Sequence, residues 1–145
     1  LTGENVLDRV DILQDAGNAI NPALERGQIE GGFAQGQGWL TMEEVIWGKD
    51  GKIKTFSPST YKIPAVTDIP KIFNVEIYKK GMNVEKVVNK AKTTGEPPLM
   101  LAMSVFFAIK DAIASISNYQ KIPDLDAPAT PEKILLSIKK LKNIN

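Results

Sequence analysis

Apolar residues recur along the chain with two different spacings, which predict two strands and three helices. Two short stretches mix apolar and polar residues in the manner of strands, Val6–Asp15 and Ile72–Tyr78. Three longer stretches repeat apolar residues at helical spacing, from Pro22 to about Val45, over Leu99–Ile116 and over Pro131–Lys142. The pattern predicts a mixed α and β (α+β) fold, with residues 1–145 forming a single domain or a fragment of one.

Local signals mark where the predicted helices begin. Asn21 and Thr130 each stand directly before a proline, and a cap residue followed by proline is typical of a helix start. Leu99–Ile116 is the longest apolar segment of the chain. Because apolar residues lie on nearly all its sides, we expect it to be a buried helix.

The remaining segments predict turns and loops. Trp47–Lys52 carries Asp-Gly at its centre and predicts a hairpin, with Ile53–Phe56 as the return strand. Ser57–Pro70 and Tyr119–Pro131 contain prolines and predict ordered loops.

The helix predicted from Pro22 is unusually rich in glycine. Five glycines fall inside it: Gly27, Gly31, Gly32, Gly36 and Gly38. Each interior glycine costs about 1 kcal/mol relative to alanine, so the helix needs close packing or it breaks. Tight packing against another element and a ligand lying along the helix are both open interpretations. A dinucleotide fingerprint is excluded, because the third glycine is missing and no strand end precedes the segment.

Composition narrows the classes of partner. The 145 residues carry a net charge of +1, which gives no bulk electrostatic argument for nucleic acid or an anionic membrane. The basic run Lys139–Lys142 suits the C-terminal end of a helix. No signal peptide is visible, and we expect no apolar run to approach transmembrane length. We therefore expect a cytoplasmic protein with neither nucleic acid nor a membrane as partner.

The chain contains no cysteine and no histidine. This excludes disulfides, thiolate and imidazole metal sites, cysteine nucleophiles and Ser-His-Asp triads within these residues. No side chain here is therefore expected to ligate a metal. Acid–base chemistry near neutral pH would fall to a carboxylate whose pKa is set by its surroundings.

Glu96 is the carboxylate with the most restrained backbone. It lies between Gly95 and the pair Pro97-Pro98, directly before the longest apolar segment. Glycine permits a close backbone approach, and the residue before a proline is biased away from the α region, so we expect Glu96 outside that region. The alternative is helix capping, because acidic residues are common at helix N-termini.

Four ordered stretches resemble one family. Thr94–Leu99 resembles the active-site segment of the molybdenum-cofactor subunit of xanthine dehydrogenases, in the xanthine dehydrogenase/aldehyde oxidase family. The other three stretches, in the same order as in the family, are Asn21–Ala23 leading into Gly27–Gly32, Ser59–Pro64, and Ala127–Lys133. The resemblance covers roughly Val6 to Lys140 and implies the C-terminal part of the large molybdopterin-binding domain.

The resemblance also implies roles for three residues. Glu96 would be the general base beside the molybdenum, and Gln28 would contact the molybdopterin cofactor. Gly95 would let the backbone approach the metal centre. The cofactor would be shared with the upstream part of the domain, and iron–sulfur clusters and FAD would lie in other domains or subunits of an oligomer. The implied reaction is hydroxylation of a purine, hypoxanthine or xanthine to urate, with water-derived oxygen.

Some features depart from the family or leave alternatives open. Thr93-Thr94 replaces the small-plus-valine pair that the resemblance leads one to expect. Pro97-Pro98-Leu99 is closer to xanthine-type members than to aldehyde oxidases. A different molybdenum hydroxylase, acting on an aldehyde or another N-heterocycle, is the first alternative. A non-catalytic assembly piece is the second. For Ser59 and Tyr61 we expect packing roles, and we expect the isolated chain to be inactive.

Overall fold

The computed structural model describes residues 2–142. Its elements, in chain order, are β1 Arg9–Gln14, α1 Pro22–Thr41, β2 Ile72–Ile77, α2 Pro97–Leu101, α3 Met103–Ser115 and α4 Pro131–Lys142. Short 3₁₀ turns occur at Val66–Asp68 and Val88–Lys90. The predicted mixture of helix and strand is confirmed.

The two strands pair in parallel, with Asp11 opposite Asn74. Parallel strands need a crossover connection, and α1 lies in the segment that joins them. Alternation along β1 buries Val10 and Ile12, while the residues between them face solvent. The sheet therefore presents one apolar face to the core.

Helix α1 is held by the sheet and by its own cap. Asn21 Oδ1 accepts a hydrogen bond from the Leu24 N–H at 3.3 Å, as expected for an N-cap. Ile29 and Phe33 are almost fully buried and join β1 and β2 in the first core cluster. Burial of each such side chain contributes about 1.5–3 kcal/mol. The helix ends at Thr41 rather than near Val45, because Met42 leaves the helical region.

The single helix predicted over Leu99–Ile116 is instead two helices. Helix α2 begins at Pro97, and Ala102 separates it from α3. The Ala102 N–H donates to the Leu99 carbonyl at 3.2 Å, a tighter i to i−3 bond than an α-helix makes. Ala102 is fully buried against α1, and this close contact accounts for the tightened turn.

The segment Pro97–Ser115 is long and apolar enough to cross a membrane by length and composition. The expectation that no apolar run approaches transmembrane length is therefore wrong by this measure. Val105 and Ile113 are buried within the chain, whereas Met103 and Phe107 are exposed. Helix α3 is thus buried on one face only within residues 2–142, and burial of its other face would need neighbours outside these residues.

A second core cluster joins α3, the following loop and α4. Its buried members are Ile113, Leu125, Ala129, Ile134 and Leu141. The loop predicted over Tyr119–Pro131 and the helix predicted over Pro131–Lys142 are both confirmed. Lys140 in the last turn pairs with Asp124 at 2.7 Å.

The predicted hairpin at Trp47–Lys52 forms, but its return strand does not. Trp47 and Ile53 make one antiparallel bridge around the turn, where Gly51 has φ +75°. No regular strand spans residues 53–56 in the described part of the chain. Trp47 and Ile53 are both exposed, so no buried face within residues 2–142 extends the pairing.

Candidate functional site

Three residues of α1, spaced by four along the chain, form the helix surface on which the site is built. Gln28, Gly32 and Gly36 lie on one face of the helix. A β-carbon on Gly32 would lie 2.9 Å from the carbonyl oxygen of Gly95 and 3.2 Å from Cβ of Pro98. A β-carbon on Gly36 would collide with the Leu99 carbonyl. Close packing of the glycine-rich helix is therefore confirmed on this face.

The other glycine pair of α1 has a different environment. Positions Gly27 and Gly31 are also spaced by four, but, apart from the adjoining backbone of α1 itself, no atom of the described residues lies within 4 Å of a β-carbon built there. This side of the helix is open within residues 2–142. Binding of a ligand along it stays a prediction.

Gln28 and Gly95 meet although they are far apart in sequence. A β-carbon on Gly95 would lie 3.6 Å from Oε1 of Gln28, which is ordinary van der Waals contact. Both residues are exposed. The α1 face and the segment before α2 thus bring two of the three predicted site residues together.

Glu96 follows directly and is also exposed. Its backbone has φ −87° and ψ −43°, so the expectation that it lies outside the α region is wrong. The physical reason is the first turn of α2, in which the Leu99 N–H donates to the Glu96 carbonyl at 3.0 Å. The Glu96 side chain makes no capping hydrogen bond in this structure, so the capping alternative gains no support.

We call Gln28, Gly95 and Glu96 the ledge. Within residues 2–142, neither the Gln28 amide nor the Glu96 carboxylate has a hydrogen-bond partner. An amide offers one acceptor and two donors, and a carboxylate can accept a proton. The ledge therefore presents donor, acceptor and base functions on an open surface rather than inside a cavity.

Other stretches that carried the resemblance also pack on the end of α1. A β-carbon on Gly38 would lie 2.6 Å from Cδ of Pro64, and the Ala129 N–H donates to the Leu40 carbonyl at 2.7 Å. One of the four stretches is α1 with its N-cap, and the other three contact that helix. They form one structural unit around that helix.

Tyr61 and Ser59 make hydrogen-bond contacts with nearby side chains. The Tyr61 hydroxyl donates to Glu43 Oε2 at 2.6 Å, and this bond raises the pKa of Tyr61. Ser59 Oγ lies 2.9 Å from Ser57 Oγ. Neither side chain lies on the ledge, and both brace the loop beside the end of α1.

One ion pair near the ledge was missed by the sequence reasoning. Lys92 Nζ lies 2.6 Å from Asp15 Oδ2, and it joins the end of β1 to the segment before Gly95. The two residues are too far apart in sequence for spacing to signal the pair. The pKa of Asp15 is held below its usual range by the Lys92 hydrogen bond and then by the Gly17 N–H.

One apolar pocket lies away from the ledge. It has a volume of about 290 Å³ and lies between the N-terminal segment, α3 and α4, with Val105, Ile109 and Ile138 in its wall. The described residues contain no group of three Asp or Glu side chains placed to hold a metal ion. The ledge therefore remains the place where the candidate chemical groups meet.

Comparison with known proteins identifies relatives along most of the chain. A family model described as "Molybdopterin cofactor-binding domain" matches residues 1–70. The chain is 47% identical to xanthine dehydrogenase/oxidase of Mus musculus, over 92% of this chain, and 46% identical to xanthine dehydrogenase of Oryza sativa, over 94%. It spans 10% and 11% of those relatives' lengths, respectively.

A solved structure shows the same fold. The chain aligns with quinoline 2-oxidoreductase from Pseudomonas putida 86 with a TM-score of 0.76 and 31% sequence identity. The alignment covers 91% of this chain and 16% of that one. The similarity therefore concerns one part of a much longer polypeptide.

Proposed function

We propose that this chain supplies one wall of a purine hydroxylase active site. The chain belongs to the xanthine dehydrogenase/aldehyde oxidase family and is part of its molybdopterin-binding domain. The reaction proposed is oxidation of hypoxanthine or xanthine to urate, with the new oxygen drawn from water. The chain spans about a tenth of the relatives' length, so the other walls belong to the rest of the enzyme.

The observation that carries this proposal is the ledge. Oε1 of Gln28 on α1 lies 3.6 Å from the position that a β-carbon on Gly95 would take, and Glu96 follows on an exposed turn. Folding brings these groups together from two distant segments of the chain. The Gln28 and Glu96 side chains are both exposed and have no hydrogen-bond partner within residues 2–142, so both are available to a ligand.

The donor set of the ledge fits the molybdenum–molybdopterin cofactor. When bound, this cofactor supplies the acceptor for the two electrons released by hydroxylation. The Gln28 amide can hydrogen-bond both donor and acceptor edges of a pterin. Gly95 carries no side chain, so a ligand can approach its backbone closely. Gln28 and Gly95 are therefore the residues proposed to hold the cofactor.

Glu96 is proposed to act as the general base. Its carboxylate would accept the proton released when water-derived oxygen is transferred to a ring carbon. The exposed position of Glu96 within residues 2–142 leaves it accessible to a substrate that the upstream part of the domain encloses. Enclosure by that part would exclude bulk water and strengthen the interactions of the carboxylate.

The proposal extends to the partners of the chain. Electrons taken from the substrate would leave through iron–sulfur clusters and FAD held by other domains or subunits, in an oligomeric and cytoplasmic enzyme. Metal and flavin analysis of the complete enzyme tests this arrangement. We expect molybdenum, iron and FAD together, and enzyme purified without molybdenum would favour the non-catalytic assembly alternative.

A second candidate is hydroxylation of another N-heterocycle. The observation that favours it is the 31% identity with a protein named quinoline 2-oxidoreductase. Turnover of xanthine, quinoline and benzaldehyde by the complete enzyme separates the possibilities. We expect xanthine to give the highest kcat/KM. A higher value for quinoline or for the aldehyde would replace the purine assignment, while a loss of turnover in Glu96→Gln would still support the base.

A further inference from the structure

The segment that carries Glu96 is anchored to the rest of the chain on both sides. On its C-terminal side, Pro98 and Leu99 pack on the glycines of α1. On its N-terminal side, Lys92 is fixed to the end of β1. Only residues 93–97 lie between Lys92 and Pro98, and the Gly95 carbonyl also packs against Gly32, so Lys92 supplies the N-terminal part of the anchoring of Glu96.

The N-terminal anchor consists of several contacts. The Lys92 N–H donates to the Ala16 carbonyl at 2.8 Å, and Gly17 and Ala91 form an antiparallel bridge. The Lys92 ammonium donates to Asp15 Oδ2 at 2.6 Å. Asp15 Oδ1 in turn accepts from the Gly17 N–H at 2.8 Å. The Asp15 carboxylate therefore accepts hydrogen bonds both from the Lys92 side chain and from the Gly17 backbone. Gly17 in turn pairs with Ala91, the residue before Lys92.

The surroundings of Asp15 are shaped for this role. Gly81 is buried, and a β-carbon there would collide with Asp15 Oδ1. The loop that contains Gly81 is also tied in, because Asn83 Nδ2 donates to the Ala91 carbonyl at 3.1 Å. Any side chain at position 81 would displace the Asp15 carboxylate, so this loop lies directly against one partner of the ion pair.

We propose that Asp15 is a positioning residue, which acts through Lys92 to hold Glu96 on the ledge. This inference rests on the proposed function of Glu96 as the base. The side chains of Asp15 and Lys92 are 40% and 36% exposed, so the pair is only partly screened by solvent. Its importance lies in geometry, because small displacements of a catalytic group reduce turnover strongly.

The test uses Asp15→Asn in the complete enzyme. Asparagine keeps the acceptor for the Gly17 N–H and removes the charge that holds Lys92. Hydrogen exchange at the Lys92 amide, which donates to the Ala16 carbonyl, should accelerate by about fivefold, since opening of this segment loses a partly exposed ion pair. The matched control is Asp124→Asn, which removes the exposed Lys140 pair away from the ledge and should leave exchange at the Lys92 amide unchanged.

Kinetics then separate positioning from general stability. We expect Asp15→Asn to lower kcat by about fivefold with little change in KM or molybdenum content, and Lys92→Arg to retain most of the wild-type kcat. The rate at which substrate reduces the enzyme in a single turnover is then measured in variants that already carry Glu96→Gln. In these variants Asp15→Asn should lower that rate almost no further.

Two results would overturn the inference. One is unaltered exchange at the Lys92 amide in Asp15→Asn, and the other is a full fivefold loss of turnover that persists when Glu96 is already glutamine. Faster exchange in Asp15→Asn together with an active Glu96→Gln enzyme would contradict the base assignment instead. The anchor itself would then stand, so the two claims fail separately.

Discussion

Gly32 on α1 packs against the backbone of Gly95: a β-carbon on Gly32 would lie 2.9 Å from the Gly95 carbonyl oxygen. This contact sets the distance between α1 and the segment that carries Glu96. One turn earlier on α1, Gln28 lies beside the same glycine. The glycine row therefore determines where the ledge forms, as well as how the helices pack.

The glycine row can be tested through stability. Gly36→Ala should lower the free energy of local opening of α1 by about 1–3 kcal/mol, because overpacking forces α2 away. Gly27→Ala is the matched control, since no described atom beyond the adjoining backbone of α1 lies within 4 Å of its β-carbon, and it should raise that free energy by about 0.5–1 kcal/mol. Native-state hydrogen exchange of the α1 amides measures both. Equal effects of the two substitutions would show that α1 and α2 are not in close contact.

Gly95→Ala separates folding from cofactor binding. The new β-carbon would lie 3.6 Å from Gln28 Oε1, so the chain itself has room for it. We expect normal protection of α1 from exchange but molybdenum content reduced by more than half, because the added methyl group occupies the surface proposed for the cofactor. Full molybdenum content with wild-type turnover would remove Gly95 from the cofactor site.

Acid should weaken the pairing of the two strands. The pKa of Asp11 is lowered from 3.8 to about 2 by hydrogen bonds from Arg9 and then from Asn74 on β2. A carboxyl with a lowered folded pKa stabilises the fold above 3.8, and this contribution is lost as the pH falls toward about 2. Pepsin cleavage within residues 9–14 should therefore accelerate over this pH interval.

Asp11→Asn supplies the control for that measurement. The amide does not ionise, so the pH-dependent part of the cleavage rate at residues 9–14 should shrink in the variant. The same pH dependence in wild type and variant would show that Asp11 does not couple the strands to pH.

The isolated chain should associate through the exposed face of α2 and α3. Met100, Met103 and Phe107 are 55%, 47% and 59% exposed, and contiguous apolar patches of this kind find a partner or aggregate. Light scattering should detect oligomers, and Phe107→Lys should reduce them. A stable monomer with a cooperative melt would show that the 145 residues form a self-sufficient domain.

Much of this fold could be predicted from the sequence because its signals are local. Asn21 before Pro22 fixed the start of α1, and alternation located both strands to within a few residues. The break at Ala102 could not be predicted, since it arises from the contact with Gly36. The return strand predicted after Trp47 does not form, because Trp47 and Ile53 are exposed and no described residue buries them.

The site was predictable in its residues but not in its arrangement. Restraint around Glu96 singled out that carboxylate, and the family resemblance singled out Gln28. Their proximity through Gly95 depends on packing of the glycine row, which spacing alone does not reveal. The helical backbone of Glu96 went against the pre-proline bias, because the first turn of α2 closes on its carbonyl. The Asp15–Lys92 pair left no sequence signal at all.

Replacement of Glu96 by glutamine in the complete enzyme tests the central claim most directly. Glutamine keeps the shape and loses the basicity, so molybdenum content should stay near wild type while kcat falls by at least about 100-fold. Glu132→Gln is the matched control, because Glu132 is also an exposed glutamate beside a proline at a helix start. It should leave kcat unchanged. Turnover of Glu96→Gln within tenfold of wild type, at full molybdenum content, would contradict the account.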